Sequence, residues 1–208
     1  MYKRQDEVAD DPVELEADPY AVATGAGSIW LANGLDRSVT RVDPEFLRVD
    51  DASIPVGPTP VALAVGEGSV WVVNQDGASV TRIDAESGEV VGEPIEVGRT
   101  PSGIAVGEGF VFVANSEDNT VTQLDAESGE VSGRPIAVGR GPSDVAIGEG
   151  AIWVANSEDG TVTRIDPETF EPSGEPIPAG EAPTAIAAGE GAVWVTNSGA
   201  NRVTRIEP

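Results

Sequence analysis

Residues 150–166 read Gly150-Ala-Ile-Trp-Val-Ala-Asn-Ser-Glu-Asp-Gly-Thr-Val-Thr-Arg-Ile-Asp166, and variants of this stretch recur every 41 residues. A large aromatic residue marks the same position of every copy, in the order Trp30, Trp71, Phe112, Trp153 and Trp194. Proline, asparagine and glycine residues keep the same step, and no insertion or deletion interrupts it between Pro19 and Pro208. A fixed period of this length indicates a repeat protein in which each unit is one supersecondary element.

Each unit is predicted to form four strands. In the unit 59–98, runs rich in branched and aromatic residues occur at 61–65, 69–73 and 79–83. Turn-forming residues separate these runs, and no run shows the 3.6-residue period of a helix. The segment 89–97 is more polar and contains Pro94, which suits an outer strand with one unpaired edge. Four strands that grade from apolar to polar are typical of a β-propeller blade.

The two ends of the chain complement each other in this pattern. The last unit, 182–208, stops after its third strand, and residues 11–17 are in phase with the fourth strand of the other units. We therefore predict an all-β, five-bladed β-propeller of four-stranded 41-residue repeats, closed by the N-terminal strand pairing with the C-terminal three strands. The alternative is that residues 13–17 end a further upstream blade, in a propeller of six or seven blades.

Residues 11–208 are predicted to form a single β-propeller domain. Residues 1–10 share nothing with the repeat and are predicted to be a disordered or artefactual leader. The sequence Met1-Tyr-Lys-Arg-Gln5 is what one frame of a transposon end used in sequencing libraries encodes, which favours a truncated metagenomic reading frame. A secretion signal would then be missing from the chain.

The composition excludes several classes of partner. The chain has 12 Lys and Arg against 36 Asp and Glu, with a net charge of −24. This balance argues against binding nucleic acid or anionic membranes, which requires many cations. No apolar run approaches the length of a membrane span. We expect a highly soluble protein that is a monomer, because its surface repels itself.

The unit quoted above resembles the YVTN/NHL-like repeats of bacterial β-propellers, and within them the streptogramin (virginiamycin B) lyase-like group. The resemblance covers residues 12–208 and implies the propeller fold. Similar repeats occur as extracellular sensor or scaffold domains, so it also implies an extracytoplasmic or secreted location. One propeller architecture hosts many functions, and the fold alone does not choose among them.

The resemblance implies for the lyase a histidine general base and a Mg²⁺-assisted elimination at the propeller axis. This chain contains no histidine, so the base cannot be assigned to any of its residues. We therefore expect no catalytic residue, no cofactor and no dedicated metal site. The acidic loops at 116–118 and 157–159 lack the ligand spacing of a calcium site.

The repeated residues are interpreted as structural. The aromatic series is predicted to wedge neighbouring blades apart, because aromatic side chains bury the largest area. The asparagine series, which ends each second strand, is predicted to bond nearby backbone in the turn. The aspartate series at Asp43, Asp84, Asp125 and Asp166 is predicted to cap turns.

Candidate binding residues are those at which the copies differ. Two loops of each blade are expected on one face of the ring: the lead-in loop before the inner strand, and the loop after the second strand. These loops contain Arg37, Arg99, Arg140 and Arg202. The four cations could form a mouth that captures an anionic ligand, or each could pair with a neighbouring carboxylate.

Two inner-strand residues also depart from their copies. Tyr20 begins the first inner strand, where the other units have Val, Ser or Thr. Asp144 is the one charged residue in a series of Ala and Gly. Near the channel its carboxylate could bind a cation or a ligand amine, or it could accept hydrogen bonds from neighbouring backbone.

The leading hypothesis is a non-catalytic propeller that binds an unknown protein or small molecule on its lead-in loop face. It would serve as the sensor or scaffold module of a larger extracytoplasmic protein. One alternative is a Mg²⁺-dependent lyase-like enzyme built around Asp144, which the absence of histidine disfavours. The other alternative is a duplicated repeat fragment with no ligand.

Overall fold

The computed structural model describes residues 13–15, 17–50 and 52–208, and these residues form twenty strands without any helix. No stretch of the described chain is therefore a helix able to cross a membrane. The predicted leader, residues 1–10, lies outside the described residues, as do residues 11, 12 and 16 of the predicted closing segment.

The strands form five antiparallel sheets in chain order, which we number blades 1 to 5. Blade 1 contains β1 Pro19–Gly25, β2 Ser28–Asn33, β3 Ser38–Asp43, β4 Arg48–Val49 and β5 Ile54–Pro55. Blade 2 contains β6 Pro60–Gly66, β7 Ser69–Asn74, β8 Ser79–Asp84 and β9 Ile95–Glu96. Blade 3 contains β10 Pro101–Gly107, β11 Phe110–Asn115, β12 Thr120–Asp125 and β13 Ile136–Ala137. Blade 4 contains β14 Pro142–Gly148, β15 Ala151–Asn156, β16 Thr161–Ile165 and β17 Ile177–Pro178. Blade 5 contains β18 Pro183–Gly189, β19 Ala192–Asn197 and β20 Arg202–Ile206. The prediction of an all-β propeller with five blades is confirmed.

A two-residue turn joins the first two strands of every blade. In blade 2 the turn residues Glu67 and Gly68 have φ angles of 52° and 72°. Two successive positive φ angles define a type I′ turn, whose twist matches that of the strands it connects. The Glu-Gly pairs of blades 3 to 5 have the same geometry, so this turn fixes the register of the inner hairpin throughout.

The fourth strand is shorter than the sequence predicts. In blade 2 only Ile95–Glu96 pairs with β8, and an isolated bridge joins Val90 to Ile83. The turn glycine Gly92, with a φ of 71°, interrupts the segment between them. Pro94 lies just before the paired residues, where its missing N–H leaves no ladder bond unmade. At the outer edge of blades 1 to 4, the fourth strand therefore pairs with the third over only a few residues. The chain then crosses to the inner strand of the next blade.

The apolar core lies between blades. Trp30, Trp71 and Trp153 are at most 1% exposed and Phe112 is 2% exposed, each packed against aliphatic residues of the following blade. The predicted wedge role of the aromatic series is confirmed for these four residues. Burial of this many aromatic and branched side chains is the main stabilising contribution to the arc.

The asparagine series has a different role from the predicted one. The side-chain amide of Asn74 donates to the hydroxyls of Ser79 and Thr81, at 3.3 and 2.9 Å, and the other blades repeat the Asn–Thr contact. The amide therefore joins the second strand to the third and does not bond turn backbone; in blade 5 it also donates to the Val195 carbonyl of its own strand. Gly57 packs against it so closely that an added Cβ would lie 2.6 Å from the Asn74 side chain. The repeating glycine is thus required by the buried asparagine.

The described residues do not show the predicted ring closure. Blade 5 has three strands, and residues 13–15 belong to no strand. Consecutive inner strands pack together from β1 and β6 to β14 and β18, but no comparable contact joins β18 to β1. Pairing of residues 11–17 with β20 stays a prediction, since part of that segment is outside the described chain.

Candidate functional site

The lead-in loop and the second loop of each blade lie together on one face. Backbone hydrogen bonds join them at equivalent positions, such as Ser116 N–H to the Thr100 carbonyl at 3.0 Å and Ser157 N–H to the Gly141 carbonyl at 2.8 Å. Blades 2 and 5 have the same bond. In blades 2 to 5 this lead-in face therefore presents eight short loops whose backbone is held by these bonds and whose side chains vary.

Two of the predicted site arginines pair with carboxylates of their own blades. Arg99 Nε lies 2.7 Å from Asp118 Oδ1, and Arg140 Nε lies 2.6 Å from Asp159 Oδ1. The backbone N–H of each arginine donates to the other oxygen of the same carboxylate. Glu117 adds a second negative charge at 3.6 Å from Arg99. Neither arginine presents an unbalanced positive charge to a ligand.

These pairs shift the pKa values of both partners. Hydrogen bonds from the Arg99 backbone and side chain hold the pKa of the Asp118 carboxyl below its ordinary value. The same side-chain bond and the charge of Asp118 raise the pKa of Arg99. Asp159 and Arg140 repeat this pattern. Because both groups stay ionised at neutral pH, each pair is a fixed dipole on the lead-in face.

Arg37 and Arg202 occupy other blades. Arg37 ends the second loop of blade 1 with a φ of 52°, and Arg202 begins β20 opposite Asn197. Among the described residues, neither forms an ion pair within 4.0 Å. The four arginines thus belong to four different blades. Arg99 and Arg140 form ion pairs within their own blades. Of the two alternatives for these arginines, Arg99 and Arg140 show the second, pairing with a neighbouring carboxylate.

Blade 1 exposes apolar groups on the lead-in face. Tyr20 is 72% exposed and Leu35 is 81% exposed. Gly34, which precedes Leu35 in the chain, would place an added Cβ 3.9 Å from the Tyr20 Cβ, so the loop that carries Leu35 lies next to Tyr20. We call Tyr20, Leu35 and Arg37, the last of which ends the same loop, the blade 1 patch. The residues equivalent to Leu35 are Asp76, Glu117, Glu158 and Gly199, so no other blade combines an aromatic and an aliphatic side chain there.

Asp144 accepts hydrogen bonds from backbone, which is one of its two predicted roles. Its Oδ1 accepts from Val145 N–H at 2.9 Å, and its Oδ2 accepts from Ile186 N–H at 3.0 Å. Burial raises the pKa of the carboxyl, and the two hydrogen bonds oppose that shift. Since both oxygens are engaged, the carboxylate ties blade 4 to blade 5.

A second substitution in the repeat makes room for Asp144. Gly103 replaces the alanine of blades 1, 2 and 5, and an added Cβ there would lie 2.6 Å from the Asp144 Cα and 2.7 Å from its Oδ1. Gly103 and Asp144 are therefore one paired departure from the repeat. Only Asp144 was predicted from the sequence as a candidate residue. Gly103, one unit earlier, was the signal that the neighbouring blade makes room for it.

The acidic residues of the described chain serve as turn caps and ion-pair partners and do not gather into a metal-binding cluster. No group of three or more His, Cys, Asp or Glu side chains there could hold a metal ion. The aspartate series caps turns as predicted; Asp84 Oδ1, for example, accepts from Ser87 N–H at 2.8 Å. The hydrogen bonds from Ser87 lower the pKa of Asp84.

Four blades contain a repeating arginine–tryptophan contact that was not predicted from the sequence. The guanidinium carbons of Arg41, Arg82, Arg164 and Arg205 lie 5.0 to 5.9 Å from the ring centres of the four tryptophans. In blade 3 the tryptophan is replaced by Phe112 and the arginine by Gln123. The joint replacement, visible in the sequence, was the available signal of this cation–π contact.

The comparisons with known proteins agree with this geometry. At 18% identity, hydrazine synthase of Kuenenia stuttgartiensis superposes with a TM-score of 0.76 over 97% of this chain and 70% of its own. A streptogramin B lyase superposes at 16% identity with a TM-score of 0.75 over 94% of this chain and 71% of its own. The virginiamycin B lyase of Staphylococcus aureus gives 15% identity and a TM-score of 0.72 over 94% of this chain and 71% of its own. At these identities the likeness shows the fold.

No curated protein sequence matches the chain. The sequence model of the virginiamycin B lyase family matches residues 5–208, nearly the whole length. The resemblance inferred from the repeat is thereby confirmed, and this chain belongs to the virginiamycin B lyase family.

Proposed function

We propose that this propeller is a non-catalytic binding module that takes a protein or peptide partner through the blade 1 patch of its lead-in face. It would act as the sensor or scaffold part of a larger extracytoplasmic protein. The observation that carries the proposal is the joint exposure of Tyr20 at 72% and Leu35 at 81% in blade 1.

The chemistry of the patch suits a protein partner. Tyrosine and arginine are among the residues that contribute most to protein interfaces when a partner covers them. Leu35 adds apolar area on a loop held by the blade hairpin, so little conformational freedom is lost on binding. The net charge of −24 disfavours acidic partners. Arg37 is the group of the patch that would donate hydrogen bonds to one carboxylate of a partner.

The remaining predicted site residues contribute less. Arg99 and Arg140 are neutralised by Asp118 and Asp159, and a ligand anion would have to compete with those carboxylates. The carboxylate of Asp144 is engaged by backbone N–H groups, which supports a structural role. Binding is therefore assigned to blade 1.

A peptide selection tests this proposal. Peptides from a random displayed library would be selected on the whole protein and then measured against a Tyr20→Ser/Leu35→Ser variant. The matched control is Phe46→Ser, which removes another aromatic group, 66% exposed, from the outer rim of the same blade. We expect the patch variant to weaken binding at least about tenfold, a loss of about 1.4 kcal/mol, and the control to leave it unchanged.

If no peptide is enriched, or if enriched peptides bind both variants equally, the blade 1 patch is not a binding site. The absence of any enriched peptide would favour the third hypothesis, a repeat array without a ligand.

Membership of the virginiamycin B lyase family favours a second candidate, a lyase that acts on streptogramin B antibiotics. The resemblance implies that such an enzyme would use Mg²⁺. The chain has no histidine, so the proton would have to be removed by a carboxylate such as Asp144. Incubation with quinupristin and millimolar Mg²⁺, followed by chromatography, tests this candidate. Loss of intact quinupristin that requires Asp144 would establish lyase activity and reject the non-catalytic assignment.

A further inference from the structure

The junction of blades 3 and 4 differs from the rest of the repeat at several positions. The cross-strand partners Phe112 and Gln123 stand where the other blades have tryptophan and arginine. Phe110 replaces a serine or an alanine, and Phe170 replaces the glycine of blades 2 and 3. Because the three phenylalanines pack into one interblade cluster, these differences together build a local structure that is specific to this junction.

Phe170 fills a region that an arginine fills one junction earlier. An added Cβ at the equivalent Gly129 would lie 3.4 Å from Nη1 of Arg82. At Phe170 the ring centre lies 5.0 Å from that of Phe110 and 6.1 Å from that of Phe112. The φ angle of Phe170 is 56°, in the left-handed region that bulky side chains rarely adopt. Such backbone strain is common at functional sites, where it holds a side chain in a required position.

A cleft of about 430 Å³ opens beside these aromatic residues, and its volume is typical of a small-molecule site. Residues 132–137 of blade 3 form one wall, and residues 169–172 of blade 4 form the other. Gln123 and Ile136, which are 4% and 7% exposed, form the floor. Ser132 N–H donates to the Gln123 carbonyl at 2.8 Å and holds the first wall against the floor. The cleft is therefore formed in advance of any ligand, which reduces the cost of binding.

The floor contains a hydrogen-bond donor that lacks an acceptor. Among the described residues, the buried Nε2 of Gln123 has no hydrogen-bond partner. In blade 4 the equivalent Arg164 donates to the Ser173 hydroxyl at 3.0 Å, and the shorter side chain of Gln123 does not repeat this bond. A buried amide without a partner is destabilising, and a ligand oxygen that accepts from it removes that cost.

The two walls carry opposite charges. Arg134 stands where blades 2 and 4 have Glu93 and Glu175, and Glu171 lies on the other wall. Within the described chain, neither Arg134 nor Glu171 has an oppositely charged partner within 4.0 Å, so they do not neutralise each other. A ligand with one carboxylate and one ammonium group can pair with both walls. Such a ligand has no net charge for the protein charge of −24 to repel.

We propose that this cleft binds a free amino acid with an apolar side chain. The carboxylate of the amino acid pairs with Arg134 and accepts a hydrogen bond from Gln123. Its ammonium group pairs with Glu171, and its side chain packs on Phe170 and Ile136. The site lies between blades 3 and 4, apart from the blade 1 patch, and it does not depend on a protein partner binding there.

Titration with phenylalanine and two truncated analogues tests the site. The analogue 2-phenylethylamine lacks the carboxylate, and 3-phenylpropanoate lacks the ammonium group. Binding to the whole protein is followed by the NMR signals of the methyl groups of Ile136 and Thr169, which line the cleft. We expect saturable shifts with phenylalanine, and at least about tenfold weaker binding of each analogue, because each loses one charged contact.

Three variants test the individual contacts. Arg134→Glu, which restores the residue of blades 2 and 4, should weaken phenylalanine at least about tenfold and should not weaken 2-phenylethylamine. Glu171→Gln should weaken phenylalanine and should not weaken 3-phenylpropanoate. Gln123→Met keeps the side-chain volume, removes the donor and should weaken phenylalanine. The matched control is Arg48→Glu, which makes the same charge change on the outer strand of blade 1 and should leave binding unchanged.

The absence of saturable shifts with phenylalanine at millimolar concentration overturns the proposal. Equal binding of phenylalanine and either analogue also overturns it, because an apolar contact would then suffice. Equal weakening by Arg134→Glu and Arg48→Glu would mean that the net charge governs binding, and unchanged binding in Arg134→Glu would remove that residue from the site; either result overturns the assignment. The comparison of the three ligands on the unmodified protein decides the matter even if a variant fails to fold.

Discussion

The same substitution at two equivalent positions should have unequal effects. Trp153 and Trp194 occupy one site of the repeat, but the first is 1% exposed and the second is 41% exposed. Trp153 also donates a hydrogen bond from Nε1 to the Gly148 carbonyl at 3.0 Å. We predict that Trp153→Ala destabilises the protein much more than Trp194→Ala.

The magnitudes follow from burial. A buried tryptophan removes about 150–250 Å² from water, at about 25 cal/mol per Å², or about 4–6 kcal/mol before correction for the compact unfolded chain. Large-to-alanine changes in cores cost about 3–5 kcal/mol, which we expect for Trp153→Ala. At Trp194 less area is lost and no closed cavity forms, so we expect about 1–2 kcal/mol. For a chain of this size the difference corresponds to about 4–12 °C in melting temperature.

Urea unfolding followed by circular dichroism measures both variants without relying on tryptophan emission. The slope with denaturant must be the same in all variants for the free energies to be compared. Trp153→Phe is the matched control, because Phe112 fills this position in blade 3, and it should cost less than Trp153→Ala. Equal losses at Trp153 and Trp194 would refute the assignment of blade 5 as an uncovered blade.

Three further predictions concern single contacts. For Asp144 the folded pKa is raised, so the contribution of this carboxyl to stability is complete below the ordinary value of 3.8 and decreases as pH rises through the folded pKa. The melting temperature of the wild type relative to that of Asp144→Asn should therefore increase as pH is lowered from about 7 to about 4. A difference that stays constant over this range would contradict the prediction. For Asp118 the pKa is lowered, so the contribution of this carboxylate to stability is present above 3.8 and is lost as pH falls through the folded pKa. In calorimetry, the wild type should have a higher melting temperature than Asp118→Asn at neutral pH, and this difference should disappear in acid. Gly98→Ala would place a Cβ 2.5 Å from the Asn115 side chain and should lower the free energy of unfolding by about 1–3 kcal/mol. The control Gly107→Ala, whose Cβ would have its nearest contact at 3.5 Å, should lower it less in the same urea experiment. Similar losses for the two variants would show that the asparagine can move.

The period of the sequence predicts most of the scaffold. It places the strands, the hairpin turns and the aromatic wedges, because each depends on residues that recur at one position of the unit. It predicts the fourth strand poorly, since the pairing there depends on where Gly92 and Pro94 break the segment. It also assigns Asn74 to backbone, because the hydroxyls of Ser79 and Thr81 approach it only once the third strand is in register.

The site was less predictable, for a physical reason. The sequence places Arg99 and Arg140 on one face, but whether they serve a ligand depends on which carboxylates reach them. Asp118 and Asp159 lie 19 residues further along the chain and become neighbours through the blade hairpin. Likewise, Tyr20 was recognised and its neighbour Leu35 was not, because exposure depends on the surrounding loops and not on residue type.

The similarity of the interblade faces has a consequence for how the chain reaches its native state. In each interblade interface, an aromatic side chain of one blade packs on aliphatic side chains of the next. Because these surfaces are alike, blade 2 can pack directly on blade 4 in a collapsing chain and leave blade 3 outside the arc. Such a misordered arc forms three interblade interfaces where the native arc has four, and it must come apart before the correct order forms. Tandem repeats are prone to misassembly of this kind during folding. The substitutions that distinguish the copies favour the native order where they occur; Gly103 facing Asp144, for example, matches blade 3 to blade 4.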